Sequence, residues 1–181
     1  MTVFIQQDSS AVVKSLDNVV KNLQKELGTV VMKTARKGKS FIAKSVTQEL
    51  AVTQKVVKAH VEVKKEGPTT ASVSLDKSPR IPLKEFRARQ TKTGVSYKTS
   101  KSKGGKRIEG GFIVSRYGGN VFKRRSGVKR QVGSSKKGPS PWGVFVKKKR
   151  RRTVKKQLSD ELDKQLKERL RYRRLKQSGA I

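Results

Sequence analysis

Residues 108–123 read IEGGFIVSRYGGNVFK, and this stretch decides the fold class. Ile108 to Arg116 and Asn120 to Lys123 are two runs rich in β-branched and aromatic residues, which predicts two strands. Tyr117, Gly118 and Gly119 join them, and glycine reaches the positive φ that a tight hairpin turn requires. A hairpin set between helical segments on both sides makes the chain α+β.

More extended structure lies upstream. Gly94 to Tyr97 reads as a strand. Val73 and Leu75 alternate with Ser72, Ser74 and Asp76, as a half-buried strand would. Pro79 and Pro82 bracket Ile81 and favour an extended path. Ser100 to Lys106 is a Ser/Gly/Lys loop, and residues 126–141 are also loop-like.

Helices flank this block. In residues 9–27, Val12, Val13, Leu16, Val19, Val20, Leu23 and Leu27 recur at helical spacing. Ser9 or Ser10 is the expected cap and Gly28 the expected stop. A second helix is expected from Thr29 to Leu50, with Gly38 inside it at a cost of about 1 kcal/mol relative to Ala. A short helix capped by Thr53 is expected over 53–61. After the six cations Lys147 to Arg152, a C-terminal helix is expected through Leu175. Val154, Leu158, Leu162, Leu166 and Leu170 fall four apart along it. Asp160, Glu161 and Asp163 near its start or in its first half, and Arg169 to Arg174 near its end, complement the helix dipole.

The expected architecture is therefore α+β: N-terminal helices, a small antiparallel sheet with basic loops, and a C-terminal helix. It forms one structural domain in three parts: a helical part over 1–66, a β-rich part over 67–146, and a basic segment with its helix over 147–181.

Charge bounds the function. From Phe86 to Ser159 there are 24 Lys and Arg against one acid, Glu109. The same stretch holds seven of the ten aromatics, so the charge sits on a folded unit rather than a disordered tail. The whole chain carries a net charge of +33. Such a balance points to nucleic acid, an anionic membrane or an acidic protein surface. The hydrophobic share is only 33%, which predicts a thin core completed by partner subunits.

There is no Cys, which excludes disulfide and thiol chemistry, and the single His excludes the usual zinc constellations. No signal-peptide pattern and no apolar run of transmembrane length is present, so no membrane partner is expected. No cofactor and no metal are expected.

The candidate contacts for nucleic acid or an acidic partner are Lys98, Lys101, Lys103, Lys106 and Arg107, then Lys123, Arg124 and Arg125, and the run Lys147, Lys148, Lys149, Arg150, Arg151 and Arg152. A flexible cationic loop reads phosphate without sequence preference. Residues 98–107 hold no apolar side chain to anchor them, which predicts mobility in the isolated chain. Leu158, Leu162, Leu166 and Leu170 are the candidate packing positions of the last helix, against the same domain or a neighbouring subunit.

Three other motifs favour structural readings. Gly38-Lys39-Ser40 resembles the end of a phosphate-binding loop, but Lys33 stands where that motif needs Gly, so Gly38 reads as a helix position with little packing. His60 has no neighbouring carboxylate but Glu62 and defines no reaction. Asp160, Glu161 and Asp163 sit where a helix N-terminus attracts acids, which explains them without a metal. No catalytic residue stands out, so an enzyme is not expected.

An ordered series of short motifs runs from Arg80 to Phe145: Arg80-Ile81-Pro82-Leu83, then Phe86, Ala88 and Arg89, then Gly94-Val95-Ser96-Tyr97, Gly111-Phe112-Ile113, Gly119 to Arg124 and Gly138-Pro139-Ser140. With helices before it and a basic helix after it, this series resembles the minor tail protein Z family, the tail completion proteins of long-tailed bacteriophages. The chain departs from that pattern at Lys129-Arg130-Gln131-Val132, which lacks a Pro. The resemblance implies a structural virion protein of the tail or neck. It would act in tail completion, head–tail joining and positioning of DNA for delivery. It implies a place at the head-proximal end of the tail, after assembly in the host cytoplasm. The implied partners are other tail or neck proteins, such as the tail terminator and tail tube, and further copies of the chain in a ring, with double-stranded DNA as an additional contact. The alternative from charge alone is a general RNA- or DNA-binding protein of ribosomal type.

Overall fold

The computed structural model describes residues 9–77, 80–124 and 133–178. Its spine is one helix, α1, over Ser9–Thr47, where the sequence predicts two. Gly28 does not end it, because a C-terminal glycine stops a helix by adopting positive φ, and Gly28 is not among the positive-φ glycines. Its role is clearance. A Cβ at Gly28 would lie 2.2 Å from the Pro68 carbonyl oxygen, so glycine lets a turn of chain lie against the helix. Gly38 is likewise a packing position rather than a slack one. It is buried, and its absent Cβ would sit 2.9 Å from Leu158 Cδ2 and 3.5 Å from Val73 Cγ2.

After α1 come α2 (Gln54–Ala59) and a ribbon, β1 (Val61–Lys65) antiparallel to β2 (Ala71–Leu75), with Val63 opposite Val73. β1 is a strand that the sequence reading does not anticipate, and the ribbon joins residues on both sides of the expected division at 66/67. β3 (Arg89–Thr91), β4 (Gly94–Tyr97) and β5 (Lys106–Glu109) form a second antiparallel sheet. β6 (Gly111–Val114) and β7 (Asn120–Lys123) form a third, with Phe112 opposite Phe122. In place of the one small sheet expected, the described residues form three. The strand expected over 108–116 is cut at Gly110, whose φ of 64° turns the chain from one sheet to the next. A 3₁₀ turn over Ser115–Tyr117, then Gly118 and Gly119 at φ 64° and 73°, close the hairpin.

A short helix, α3 (Pro141–Phe145), precedes the last one; the Ser140 hydroxyl caps it by accepting from the Trp142 N–H at 3.3 Å. The last helix, α4, spans Lys148–Gln177. It begins inside the basic run, not after it, so cations crowd the end where the helix dipole disfavours them.

Each layer contributes to one core: Ile42 and Val46 from α1, Val57 from α2, Phe86 from a 3₁₀ turn, Val95 and Val121 from the sheets, and Val154 from α4. α4 runs antiparallel to α1. Its Leu158 meets Gly38, Glu161 pairs with Lys37, and Arg169 and Arg173 reach Glu26 at 3.4 and 2.8 Å. Along α4 the leucine stripe drifts: Leu158 packs on the core, Leu162 and Leu166 are half-buried, and Leu170 is 56% exposed. A four-residue step overshoots one helical turn by about 40°, so a strict four-residue repeat rotates off a straight seam.

Gly28→Ala should lower stability by about 1–3 kcal/mol through overpacking, although Ala favours a helix by about 1 kcal/mol. Thermal or urea unfolding measures this, and an equally or more stable variant would refute the Pro68 contact as the reason for glycine.

Candidate polyanion-binding surface

Two basic segments distant in sequence meet at one acid, Glu49, just past the end of α1. Its backbone carbonyl accepts from the Lys101 N–H at 2.8 Å, and next to it the Ala51 N–H donates to the Thr99 carbonyl at 3.1 Å. Its carboxylate accepts from Lys147 Nζ at 2.9 and 3.0 Å and from Arg150 Nη2 at 2.6 Å. Arg150 also donates to the Val144 carbonyl at 3.0 Å, which ties α3 to the same point. The hydrogen bonds from Lys147, then those from Arg150, hold the Glu49 carboxyl below the ordinary glutamate value, against a smaller opposing effect of burial.

The loop before β5 is therefore fastened over its first half. Besides Thr99 and Lys101, the Lys98 N–H donates to the Phe86 carbonyl at 3.0 Å, and Leu50 and Ser100 form a β-bridge. The sequence expectation of an unanchored 98–107 counts side chains, whereas the anchors are backbone groups. Lys106 and Arg107 belong to β5, and Arg107 donates to the Thr93 hydroxyl at 3.0 Å.

Lys101, Lys103, Lys106 and Arg107 are exposed, and Lys98 is half-buried. In the run before and within α4, Lys148, Lys149, Arg151 and Arg152 are exposed, while Lys147 and Arg150 are engaged by Glu49. Lys123 and Arg124 stand apart, at the end of β7 and just beyond it. The Arg124 guanidinium lies 5.8 Å from the Phe112 ring centre, and the Phe112 ring meets Phe122 tilted by 30° with centres 6.2 Å apart. Tyr117, 58% exposed, meets Phe122 edge-on at 5.9 Å. Arg125 and the Lys129–Val132 segment lie outside the described residues.

A basic groove went unread in the sequence. It lies between α1 and the turn of the β1–β2 ribbon, encloses about 510 Å³, and is lined by Lys21, Lys25, Lys33, Arg36 and Lys65 with no carboxylate. Cations spaced along a helix do not form a run in the sequence; reading α1 at helical period, rather than for consecutive cations, would have found it.

The other motifs resolve structurally. Gly38-Lys39-Ser40 lies in the middle of α1, where the helix offers no free N–H groups to cradle phosphate. His60 ends α2, and its carbonyl accepts from the Asp76 N–H at 3.0 Å. Glu161 accepts from Gln165 at 2.9 Å as well as from Lys37. Among the described residues no group of three His, Cys, Asp or Glu side chains is placed to hold a metal ion.

The ordered motifs of the β block now have a place in the fold: Ile81 and Phe86 are fully buried, and a Cβ at Gly138 would sit 2.3 Å from the Phe86 ring. The family model described as prophage minor tail protein Z matches residues 9–176, nearly the whole chain. The chain belongs to that family. No curated protein and no solved structure matches it. The protein is thus a structural protein of a phage tail, working among other tail components, and its family is not a known enzyme class. No described helix is long and apolar enough to cross a membrane.

The Glu49 junction sets an acid limit on stability. Because the folded carboxyl titrates below the unfolded one, its contribution is fully present above about pH 4.5 and falls away as pH drops through the folded value. Glu49→Gln should lower stability at neutral pH by about 1 kcal/mol and flatten the acid side of the stability profile. Unfolding curves over an acid pH series check this; an unchanged profile would show that α4 does not depend on Glu49.

Proposed function

We propose that this tail protein completes the head-proximal end of the tail, joins it to the head, and positions DNA for delivery, working as a ring of its own copies. It would meet the tail terminator and tail tube, in particles assembled in the host cytoplasm. The observation that carries the DNA part is the Glu49 junction, where the Thr99–Lys101 backbone and the cations Lys147 and Arg150 at the start of α4 meet at one acid. Lys101, Lys103, Lys148, Lys149, Arg151 and Arg152 remain exposed around it. A single acid is already committed inside that face, so the surrounding cations lack intramolecular neutralisation and suit a polyanion. Contacts of this kind read the phosphate backbone without base sequence. The family membership supports the tail setting and gives the ribosomal-type alternative no support.

Replacing Lys101, Lys103, Lys106 and Arg107 by uncharged residues should weaken duplex DNA binding. It should also flatten the slope of log affinity against log salt by about 0.9 for each cation–phosphate pair removed. Tails carrying the variant should assemble but deliver DNA poorly. If DNA binding is intact and attachment to the tail fails, the loop meets an acidic tail protein instead; if neither changes, the loop has neither role.

A further inference from the structure

Arg80 is the member of the ordered motif series that core packing leaves unexplained. Ile81 and Phe86 near it are fully buried, whereas Arg80 is exposed. It borders a hollow of about 460 Å³ whose polar lining is Arg80, Tyr97, Thr99, Lys106, Lys137 and Ser140, with no carboxylate.

Three separate stretches of chain build this hollow, and backbone groups fix them in place. The Gly138 N–H donates to the Ile81 carbonyl at 2.7 Å, the Leu83 N–H donates to the Lys136 carbonyl at 3.2 Å, and Pro82 and Lys137 form a β-bridge. Tyr97 and Lys106 stand opposite each other in the β4–β5 pairing. The Thr99 carbonyl accepts from the Ala51 N–H beside the Glu49 junction. The frame is thus set before a ligand arrives, which lowers the ordering cost of binding.

The charge in the hollow is uncompensated. Arg80, Lys106 and Lys137 are exposed, and among the described residues none of them pairs with an acid. Thr99 and Ser140 add hydroxyls. The Ser140 oxygen already accepts from the Trp142 N–H, which leaves its proton to donate.

We infer that this hollow is a phosphate seat: Arg80, Lys106 and Lys137 neutralise one phosphate group, and the Thr99 and Ser140 hydroxyls donate to its oxygens. Donors from three stretches of chain suit a tetrahedral phosphate, whereas the fork of a single Arg satisfies a planar carboxylate. The volume falls among clefts that take a small molecule, about 300–1,000 Å³, so one nucleotide unit enters where the width of a duplex does not. The expected source of the phosphate is the backbone of a nucleic-acid strand, and to that extent the inference rests on the DNA part of the reading above. The other source is a free phosphate or nucleotide.

The test titrates the full chain with inorganic phosphate and follows its amide NMR shifts. Saturable shifts at Thr99, Gly138 and Ser140 are expected, and Arg80→Gln should abolish them. Duplex DNA binding is then measured across a salt series on three variants that should unfold at the temperature of the unaltered chain. Arg80→Lys keeps the charge and loses the fork; Thr99→Val keeps the shape and loses the hydroxyl. Each should weaken binding about tenfold with the salt slope unchanged, a result that a diffuse cationic surface would not give. Lys137→Gln should weaken binding and flatten the slope by about 0.9. Phosphate shifts that are absent from the hollow, or spread evenly over the basic segments, would overturn the inference, as would displacement of phosphate by an equal concentration of oligoglutamate. If the shifts appear but the three variants bind DNA normally, the seat stands and its source is a free phosphate or nucleotide. If the unaltered chain binds no duplex, the DNA reading fails, and the phosphate titration alone decides the seat.

Discussion

Forty-six cations share this chain with thirteen acids, and where those few acids sit determines what can be compact. Three of them lace α4 to α1. Glu49 holds Lys147 and Arg150, Glu161 holds Lys37, and Glu26 holds Arg169 and Arg173. All three carboxyls titrate below their ordinary value. At Glu49 and Glu161 the leading cause is a hydrogen bond from a lysine, Lys147 and Lys37 respectively. At Glu26 desolvation pushes the other way and is outweighed by the two arginines. Surface pairs of this kind stabilise little one by one and weaken with salt. Their weight here comes from position: without Glu49, the cation-rich start of α4 would meet its own helix dipole and its own charges unopposed.

This lacing divides the molecule by charge. The paired helices hold most of the lacing acids, whereas residues 86–159, which include the first twelve residues of α4, have one acid among 24 cations. Both regions stay strongly cationic, and the second above all calls for a polyanion or an acidic surface.

Much of this was legible in the sequence, because its strongest signals are local. The Gly118-Gly119 turn, the strand at 94–97 and the amphipathic periods of both long helices each follow from residue type and spacing. What failed was the meaning of glycine. Gly28 reads as a stop and Gly38 as slack when only the chain's own conformation is considered; both are explained by what approaches them, Pro68 and Leu158. Gly110 misleads in the other direction, passing as a strand interior while its positive φ separates two sheets. β1 escapes notice because Val61-Glu-Val-Lys-Lys65 alternates too briefly to stand out after a helix.

The candidate surface was legible in composition but not in shape. Consecutive cations at 147–152 announce themselves, yet Lys147 and Arg150 are committed to Glu49, and their neighbours are the exposed ones. Conversely, Lys21, Lys25, Lys33 and Arg36 never form a run, and together with Lys65 they line a groove free of carboxylates. A cation's availability depends on whether the fold has already given it an acid, and acids here are the scarce partner. For a chain this basic, the acids are therefore the residues to place first: each one removes a few cations from the binding surface and, in doing so, fixes which of the others are left to face a partner.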